Sequence, residues 1–496
     1  MTTRRKGLSE EEARKAWRYA VETEFHSINP TNATEKQILG HGTEERFLPF
    51  DHSVEKAWFT YSINANGQLL ATPDGNNVDI YDLDTGERTV MSGHISEVVK
   101  LGFSPTDPNC LVSWSKTELR PNERHPEYND IVIWNIREQR GLDQTRKPEL
   151  IDNAAKAGVR AVEATLGPEM RMSMGERWDM RTLLNAIIKR NETRGRVPST
   201  SRLDGRLNTM NHSPLFSNNG EYLIYLPGPI PWSNEDEPFD ICLYNLATRS
   251  TTTLSGHRDR IDWIGFSPDD SLIASAGLDN VVRVHDLSGK EISKWHGGLQ
   301  NCGAVFSPDG RYLAAFYSSG NLRVWDLISG EETAKYETGI DGMGTIDWSP
   351  DGKYIVLGGD THGYLQLFAT SHGNVELIQE RKLSLDQSIL EPDDPITRRT
   401  LGRYLGVGSS KFLPPSDSNE TSLRLMYGVR VDQALEVFDF GTGKAWRFAP
   451  PCNDDGSIQM IPAGHGESAA VGYFWRKQKG EIGVIAPNGI RFWRLA

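Results

Sequence analysis

The sequence predicts an all-β protein, and three observations carry that prediction. Turn-forming residues are spread along the chain, with Gly 47 and Pro 26 among 496 residues, as many short strands joined by tight turns require. Runs such as LRVWDL (322–327) alternate apolar and polar residues with the period of a strand. Three segments also repeat one another: FSPDDSLIASAGLDNVVRVHDLSGK (266–290), FSPDGRYLAAFYSSGNLRVWDLISGE (306–331) and WSPDGKYIVLGGDTHGYLQLFATSHG (348–373). Each reads as strand, S-P-D turn, strand, short turn, strand, and a closing turn with glycine. The Asp-Gly pairs supply the residue tolerant of positive φ that a tight hairpin needs. Length alone suggests about three domains, but a repeat of this kind places most of the chain in one.

The third strand of the repeat recurs eight times: VDIYDL (78–83), IVIWNI (131–136), ICLYNL (241–246), VRVHDL (282–287), LRVWDL (322–327), LQLFAT (365–370), LEVFDF (435–440) and IRFWRL (490–495). Its fourth position always holds a flat ring, namely Tyr81, Trp134, Tyr244, His285, Trp325, Phe368, Phe438 and Trp493. From Tyr244 to Phe368 the spacing between rings is 41, 40 and 43 residues. A G-H pair stands at Gly93-His94, Gly256-His257 and Gly464-His465, with Asp51-His52 and Gly205-Arg206 in the same place elsewhere. The W-D pair is literal at Trp325-Asp326.

A period of about 40 residues, four strands per repeat and a G-H…W-D signature resembles the WD40 family of β-propellers. The resemblance covers roughly residues 44–496 apart from insertions. It implies a single propeller over 44–496, preceded by an extension at 1–43. Eight blades are expected; seven is the alternative, reached by demoting the degraded copy within 400–448. The last copy ends at its third strand, so EERFLPF (44–50) is expected to supply the missing outer strand, which removes an exposed sheet edge. The family's blades hold a hydrogen-bonded set, in which His257, Ser275 and Asp279 fit three roles here while His285 stands in place of the Trp. Trp325 fits the fourth role in the next blade, whose SSGN turn lacks the Asp. The resemblance makes these residues structural. The other blades read as less complete, so packing is expected to carry most of the stability.

Insertions carry the individuality, because loops on a rigid scaffold hold most specificity. Residues 116–129 and 227–239 interrupt the turn between second and third strands, and 383–402 fall between two blades. The resemblance puts all three on one face, with Tyr128 and Trp232 as candidate partner-binding anchors. Covering of the propeller's own surface is an equal alternative. Residues 141–200 show helical spacing, with Trp178, Ile187 and Ile188 on one side, and form a helical insertion in blade 2. Within 143–206, 13 Lys/Arg face 9 Asp/Glu, which suits either a solvated helix pair or a dock for an acidic partner. Ser9-x-x-Glu12 is a capping box that opens an N-terminal helix.

Composition narrows the function. A net charge of −13 and a pI near 5.5 disfavour nucleic acid as a partner. Four cysteines, with no C-x-x-C, form neither a disulfide framework nor a zinc site and fit a reducing compartment. No apolar run of membrane-spanning length and no signal-peptide pattern is present. H-E-x-x-H and G-x-S-x-G are absent, and Gly441-Thr442-Gly443-Lys444 is followed by Ala445 where a phosphate loop places Ser or Thr. Asn453-Asp454-Asp455-Gly456 lacks the other ligands of a calcium loop. The expectation is a monomeric, cytoplasmic, non-catalytic scaffold or adaptor, without cofactor or metal, that binds other proteins; a nuclear location is left open. The alternative is an enzyme or small-molecule binder with its site at the central channel mouth.

Overall fold

Each of the eight third-strand copies lies in its own antiparallel sheet in the computed structural model, which describes residues 23–24, 26–27, 36–37, 44–50, 60–94, 96–115, 130–137, 201–207, 213–227, 239–297, 301–340, 344–359, 364–382, 407–413, 423–429, 434–440, 445–448, 472–486 and 489–494. The fold is an all-β propeller of eight blades. Two compact units divide the chain. Thr60–Arg206 holds blades 1 and 2, and Met1–Phe59 with Leu207–Ala496 holds blades 3 to 8.

In the first unit, blade 1 is built from Ser62–Ile63, Leu69–Asp74, Asn77–Asp82 and Arg88–Ser92, and blade 2 from Val98–Phe103, Cys110–Ser115, Asp130–Asn135 and Ser201–Asp204. Residues 138–200 link the third and fourth strands of blade 2, and the helical insertion expected at 141–200 lies outside the described residues.

In the second unit, blade 3 keeps Tyr222–Tyr225, Phe239–Asn245 and Thr251–His257, its first strand being reduced to a bridge of Phe216 with Leu223. Blade 4 comprises Ile261–Phe266, Leu272–Gly277, Val281–Asp286 and Glu291–His296. Blade 5 comprises Asn301–Phe306, Tyr312–Tyr317, Asn321–Asp326 and Glu332–Glu337. Blade 6 has Gly344–Trp348, Tyr354–Gly359, Tyr364–Ser371 and Asn374–Lys382, with His26–Ser27 added as a fifth strand. Val407–Leu413, Arg424–Val429, Ala434–Asp439 and Ala445–Phe448 make blade 7 a full four-stranded sheet, which removes the seven-blade alternative. Blade 8 joins Gly472–Arg476, Glu481–Ala486 and Gly489–Arg494 to Glu44–Pro49, with Ile490 opposite Leu48 and Arg491 opposite Phe47. The N-terminal segment thus supplies the strand that the last copy lacks. Elsewhere in 1–43 the described residues are short strands, Thr23–Glu24 pairing with Lys36–Gln37; the helix expected from Ser9 falls outside them.

The ring position is the constant of the packing. All eight rings are buried, and each faces a Leu or Ile across the second strand, as Leu70 faces Tyr81 and Ile482 faces Trp493. Burying such a side chain contributes about 2–3 kcal/mol, so one ring per blade is a major share of each blade's core. Beside the ring, the ladder to the fourth strand slips by one residue in blades 4, 5, 6 and 8. Such a bulge sharpens the local twist.

First strands are sheet edges, and side chains of the preceding blade bond their free amides. The Phe103 amide donates to Ser62 Oγ at 2.9 Å, and the Phe412 amide donates to Asp347 Oδ2 at 2.7 Å. Ser62 and Asp347 hold equivalent places, one residue before the last first-strand pair of their blades. Thr345 and Ser410 hydroxyls add a 2.5 Å bond in the same seam of blades 6 and 7. Burial pushes the Asp347 carboxyl up to about 6, against the opposing pull of the Phe412 amide, the Lys411 charge and the Trp348 amide. A carboxyl with a raised folded pKa binds its proton more readily when folded, so stability gains as pH falls from above 6 towards 4. Asp347→Asn keeps an acceptor for the amide and removes the charge. Urea denaturation at pH 7.5 is expected to show a gain of roughly 1–2 kcal/mol, shrinking to nothing near pH 4.

Candidate functional site

The polar residues that recur from blade to blade are turn and strand fasteners before they are anything else. In the S-P-D turns, the Ser hydroxyl donates to the Asp carboxylate and accepts the amide that opens the second strand. Ser307 does this with Asp309 at 2.5 Å and the Tyr312 amide at 2.8 Å, and Ser349 with Asp351 and the Tyr354 amide at 2.7 and 2.8 Å. The next residue needs positive φ, supplied by Gly310 and Gly352 but in blade 4 by Asp270 at +58°. Asp270 is buried and turned towards blade 3, where its carboxylate accepts the amides of Asn218 and Asn219 and the Asn218 side chain at 2.7–2.8 Å.

The residue after the ring caps the following turn. Asp82, Asn245, Asp286 and Asp326 each accept two backbone amides from the residues just beyond, at 2.8–3.3 Å. Arg311 also binds Asp326 at 2.9 Å, and Arg424 binds Asp439 at 3.1 Å in the same place of blade 7.

His257, Ser275 and Asp279 come together in blade 4. The His257 ring contacts Ser275 Oγ at 2.8 Å through Nε2 and Asp279 at 3.0 Å through Nδ1. Burial opposes ionisation of Asp279, but the His257 contact and the amides of Arg258 and Val281 hold its carboxyl below the usual range. The connectivity matches that of a nucleophilic triad. Ser275, however, is 1% exposed in the second strand, where no acyl donor can approach its oxygen. Its role is to bind strands together. His285 lies elsewhere in the network, bonding the Ser255 carbonyl at 3.2 Å, and burial lowers its pKa. Trp325 stacks on Trp295, ring centroids 5.3 Å apart, and Ala315, which stands where Ser275 stands in blade 4, offers it no hydroxyl.

A second set was not foreseen. In blade 2, Trp134 Nε1 donates to Ser113 Oγ at 2.7 Å, and Ser113 lies 2.6 Å from His94 Nε2. The expectation that other blades are less complete is therefore corrected for blade 2. Ser113 Oγ accepts from the indole and shares a second bond with His94 Nε2, so one oxygen joins two buried rings. Burial first, and Arg202 second, depress His94 to about 3. The Gly93-His94 pair is legible as such a site: a Cβ on Gly93 would sit 2.8 Å from the Trp134 ring.

Between the S-P-D turns of blades 5 and 6 lies a cleft of about 460 Å³, walled by Tyr312 and Trp348 and rimmed by Asp309, Arg311, Asp351 and His372. Asp309 and Asp351 are engaged in their turns and Arg311 in its ion pair. Among the described residues, no group of three or more His, Cys, Asp or Glu is placed to hold a metal. Cys110 and Cys242 are free thiols; burial pushes Cys110 up to about 12, with Asp107 adding to it. Tyr128 and Trp232, with all of loops 116–129 and 228–238 and residues 383–402, lie outside the described residues.

Comparison with known proteins places two stretches firmly. The family model described as WD domain, G-beta repeat matches residues 248–286 and 290–326. Each stretch runs from the fourth strand of one blade through the third strand of the next. This offset is the one by which Glu44–Pro49 completes blade 8. The WD repeat-containing protein AAC3 of Dictyostelium discoideum is 27% identical over 40% of this chain and 32% of its own length. The meiotic fizzy-related protein 1 of Schizosaccharomyces pombe is 27% identical over 29% of this chain and 34% of its own. The small ribosomal subunit protein RACK1y of Oryza sativa subsp. japonica is 29% identical over 24% and 38%. The chain thus spans about a third of the length of these relatives. Among solved structures, a chain of the crystal structure of a mitotic checkpoint complex aligns over 92% of this chain and 95% of its own, at 12% identity and a TM-score of 0.43.

Proposed function

This chain is a WD40-repeat β-propeller protein, and on that premise we propose that it is a non-catalytic scaffold or adaptor that binds other proteins through its loop-bearing face. One observation supports this most directly: the recurring polar sets are buried fasteners, as Ser275 and Ser113 are, so the repeats build a frame rather than a reaction centre. Recognition then falls to the inserted loops, where Tyr128 and Trp232 are the proposed anchors, because large aromatics carry much of the energy of protein interfaces. A relative named as a ribosomal subunit protein supports protein partners as a class.

The proposal includes a monomer in the cytoplasm that engages neither nucleic acid nor membrane. A net charge of −13 supports the first exclusion, and the free thiols Cys110 and Cys242 support a reducing compartment. Affinity purification from the native cell tests the reading. The Tyr128→Ala/Trp232→Ala variant is expected to lose most partners that the unmodified chain retains. Retention of every partner, both by that variant and by a chain with loops 116–129 and 227–239 shortened, would show the face to be wrong.

A further inference from the structure

The S-P-D turns join first and second strands, so they lie at the end of the second strand opposite the turns that carry the inserted loops. Their seams differ from blade to blade. Asp270 of blade 4 bonds Asn218 and Asn219 in the corresponding turn of blade 3. A Cβ added to Gly310 of blade 5 would touch Pro268 of blade 4 at 3.7 Å, whereas one added to Gly352 of blade 6 would meet nothing within 4 Å. The turns of blades 5 and 6 stand apart, and the cleft of about 460 Å³ lies between them. A short hairpin forms its third side. Blade 6 has Ala369 where blade 5 has the turn-capping Asp326, and it passes from third to fourth strand through His372 and Gly373 alone. Both have positive φ, +52° and +79°, as a two-residue hairpin of this kind requires.

Tyr312, Trp348 and two prolines give the cleft an apolar lining, and its mouth is negative. Tyr312 is 7% exposed, and among the described residues its hydroxyl has no partner. Asp309 uses one carboxylate oxygen on the Ser307 hydroxyl and the Arg311 amide, which leaves the other free among the described residues. Asp351 is arranged alike, its second oxygen meeting the exposed Lys353 ammonium at 3.5 Å. Arg311 is already committed, since two of its nitrogens bind Asp326 at 3.1 and 2.9 Å. Three carboxylates thus stand against two cations. Beside them is Ile328, whose amide bonds Asp326 and whose side chain, 81% exposed, is the most exposed large apolar one among the described residues.

We propose that this cleft receives an arginine side chain of a partner protein. Its methylenes and guanidinium plane lie against the Trp348 and Tyr312 walls, because aromatic rings attract a cation and a guanidinium stacks on them. The guanidinium donates to the free oxygen of Asp309 and to the Tyr312 hydroxyl. Lysine fits less well, being a point charge without the planar fork that matches a carboxylate. An apolar residue of the same segment covers Ile328, which is why the occupant is a polypeptide and not a small free cation. The site lies at the end of the blades away from the inserted loops, so it stands or falls independently of the anchors Tyr128 and Trp232.

The test uses the full chain and a fluorescent peptide, Gly-Leu-Ser-Arg-Ser-Gly, with citrulline in place of arginine as a neutral control of nearly the same shape. Asp309→Asn/Asp351→Asn removes both charges and keeps an oxygen for each turn, which urea denaturation checks. This variant is expected to bind the arginine peptide about tenfold more weakly than the unmodified chain, and citrulline should cost the unmodified chain as much. Ile328→Ser should weaken the arginine peptide severalfold and leave the binding of free arginine amide unchanged. Peptide binding should slow amide hydrogen exchange over residues 307–312 and 349–353. Equal binding of the two peptides, unchanged affinity in the Asn variant, absence of binding, tighter binding of a glutamate peptide, or protection elsewhere would each overturn the proposal. Equal weakening of peptide and arginine amide by Ile328→Ser would overturn the polypeptide as occupant.

Discussion

Ser113→Ala is expected to destabilise the unit formed by Thr60–Arg206 by about 2–4 kcal/mol. One oxygen serves two buried partners there: it accepts from Trp134 Nε1 and shares a hydrogen bond with His94 Nε2. Its removal leaves both without that mate in a site from which water is excluded, and each orphaned group costs about 1–3 kcal/mol. Ser275→Ala in blade 4 is the control. There His257 keeps Asp279, and His285 bonds the Ser255 carbonyl rather than Ser275, so a loss of about 1 kcal/mol is expected. Hydrogen exchange of residues 98–135 compared with 261–286, alongside urea denaturation, separates the two. Equal losses would mean that the Trp134 bond contributes nothing.

The same site sets a pH dependence. His94 is depressed to about 3 when folded and titrates near 6.5 when unfolded. A base with a lowered folded pKa leaves the unfolded chain to gain the proton first. Its share of the stability is therefore complete above 6.5 and is lost progressively as pH falls towards 3. His94→Gln, which cannot be protonated, is expected to flatten that part of the acid limb.

The second large effect is expected at Asp270, where substitutions should rank unmodified, Asn, Gly and then Ala. Three bonds from Asn218 and Asn219 end on this carboxylate, and bonds to a charged acceptor are worth about 1.5–3 kcal/mol each, though not additively. Asn retains one acceptor oxygen. Gly loses the bonds but is at ease at a φ of +58°. Ala loses the bonds and keeps the strain, so it should fall about 1 kcal/mol below Gly, for a total near 3 kcal/mol. Thermal or urea denaturation would rank them. Ala equal to Gly would show that the left-handed turn costs nothing here.

Much of this architecture is written in short, local patterns. Rings such as Trp325 and Phe368 recur because a strand's alternation and one buried side chain per blade are properties of six consecutive residues. The Glu44–Pro49 strand was legible for a related reason, since a repeat that ends after its third strand leaves an edge that some other segment must cover. The His257–Ser275–Asp279 contacts span 22 residues with no insertion. The His94–Ser113–Trp134 set escaped notice because residues 116–129 intervene and break the spacing by which such sets are compared.

Contacts between blades were not legible. Asp347 reaches Phe412 across 65 positions and Asp270 reaches Asn218 across 52, and nothing in either local sequence marks its partner. The addition of His26–Ser27 to blade 6 belongs to the same class. By itself, then, the sequence determined the repeat, the eight blades and the strand exchanged between the ends of the chain, because each follows from hydrophobic periodicity or from the need to cover a sheet edge. Only the tertiary structure decided which polar groups fasten one blade to the next, because those depend on atoms brought within 3 Å by folding and not by neighbourhood in the chain.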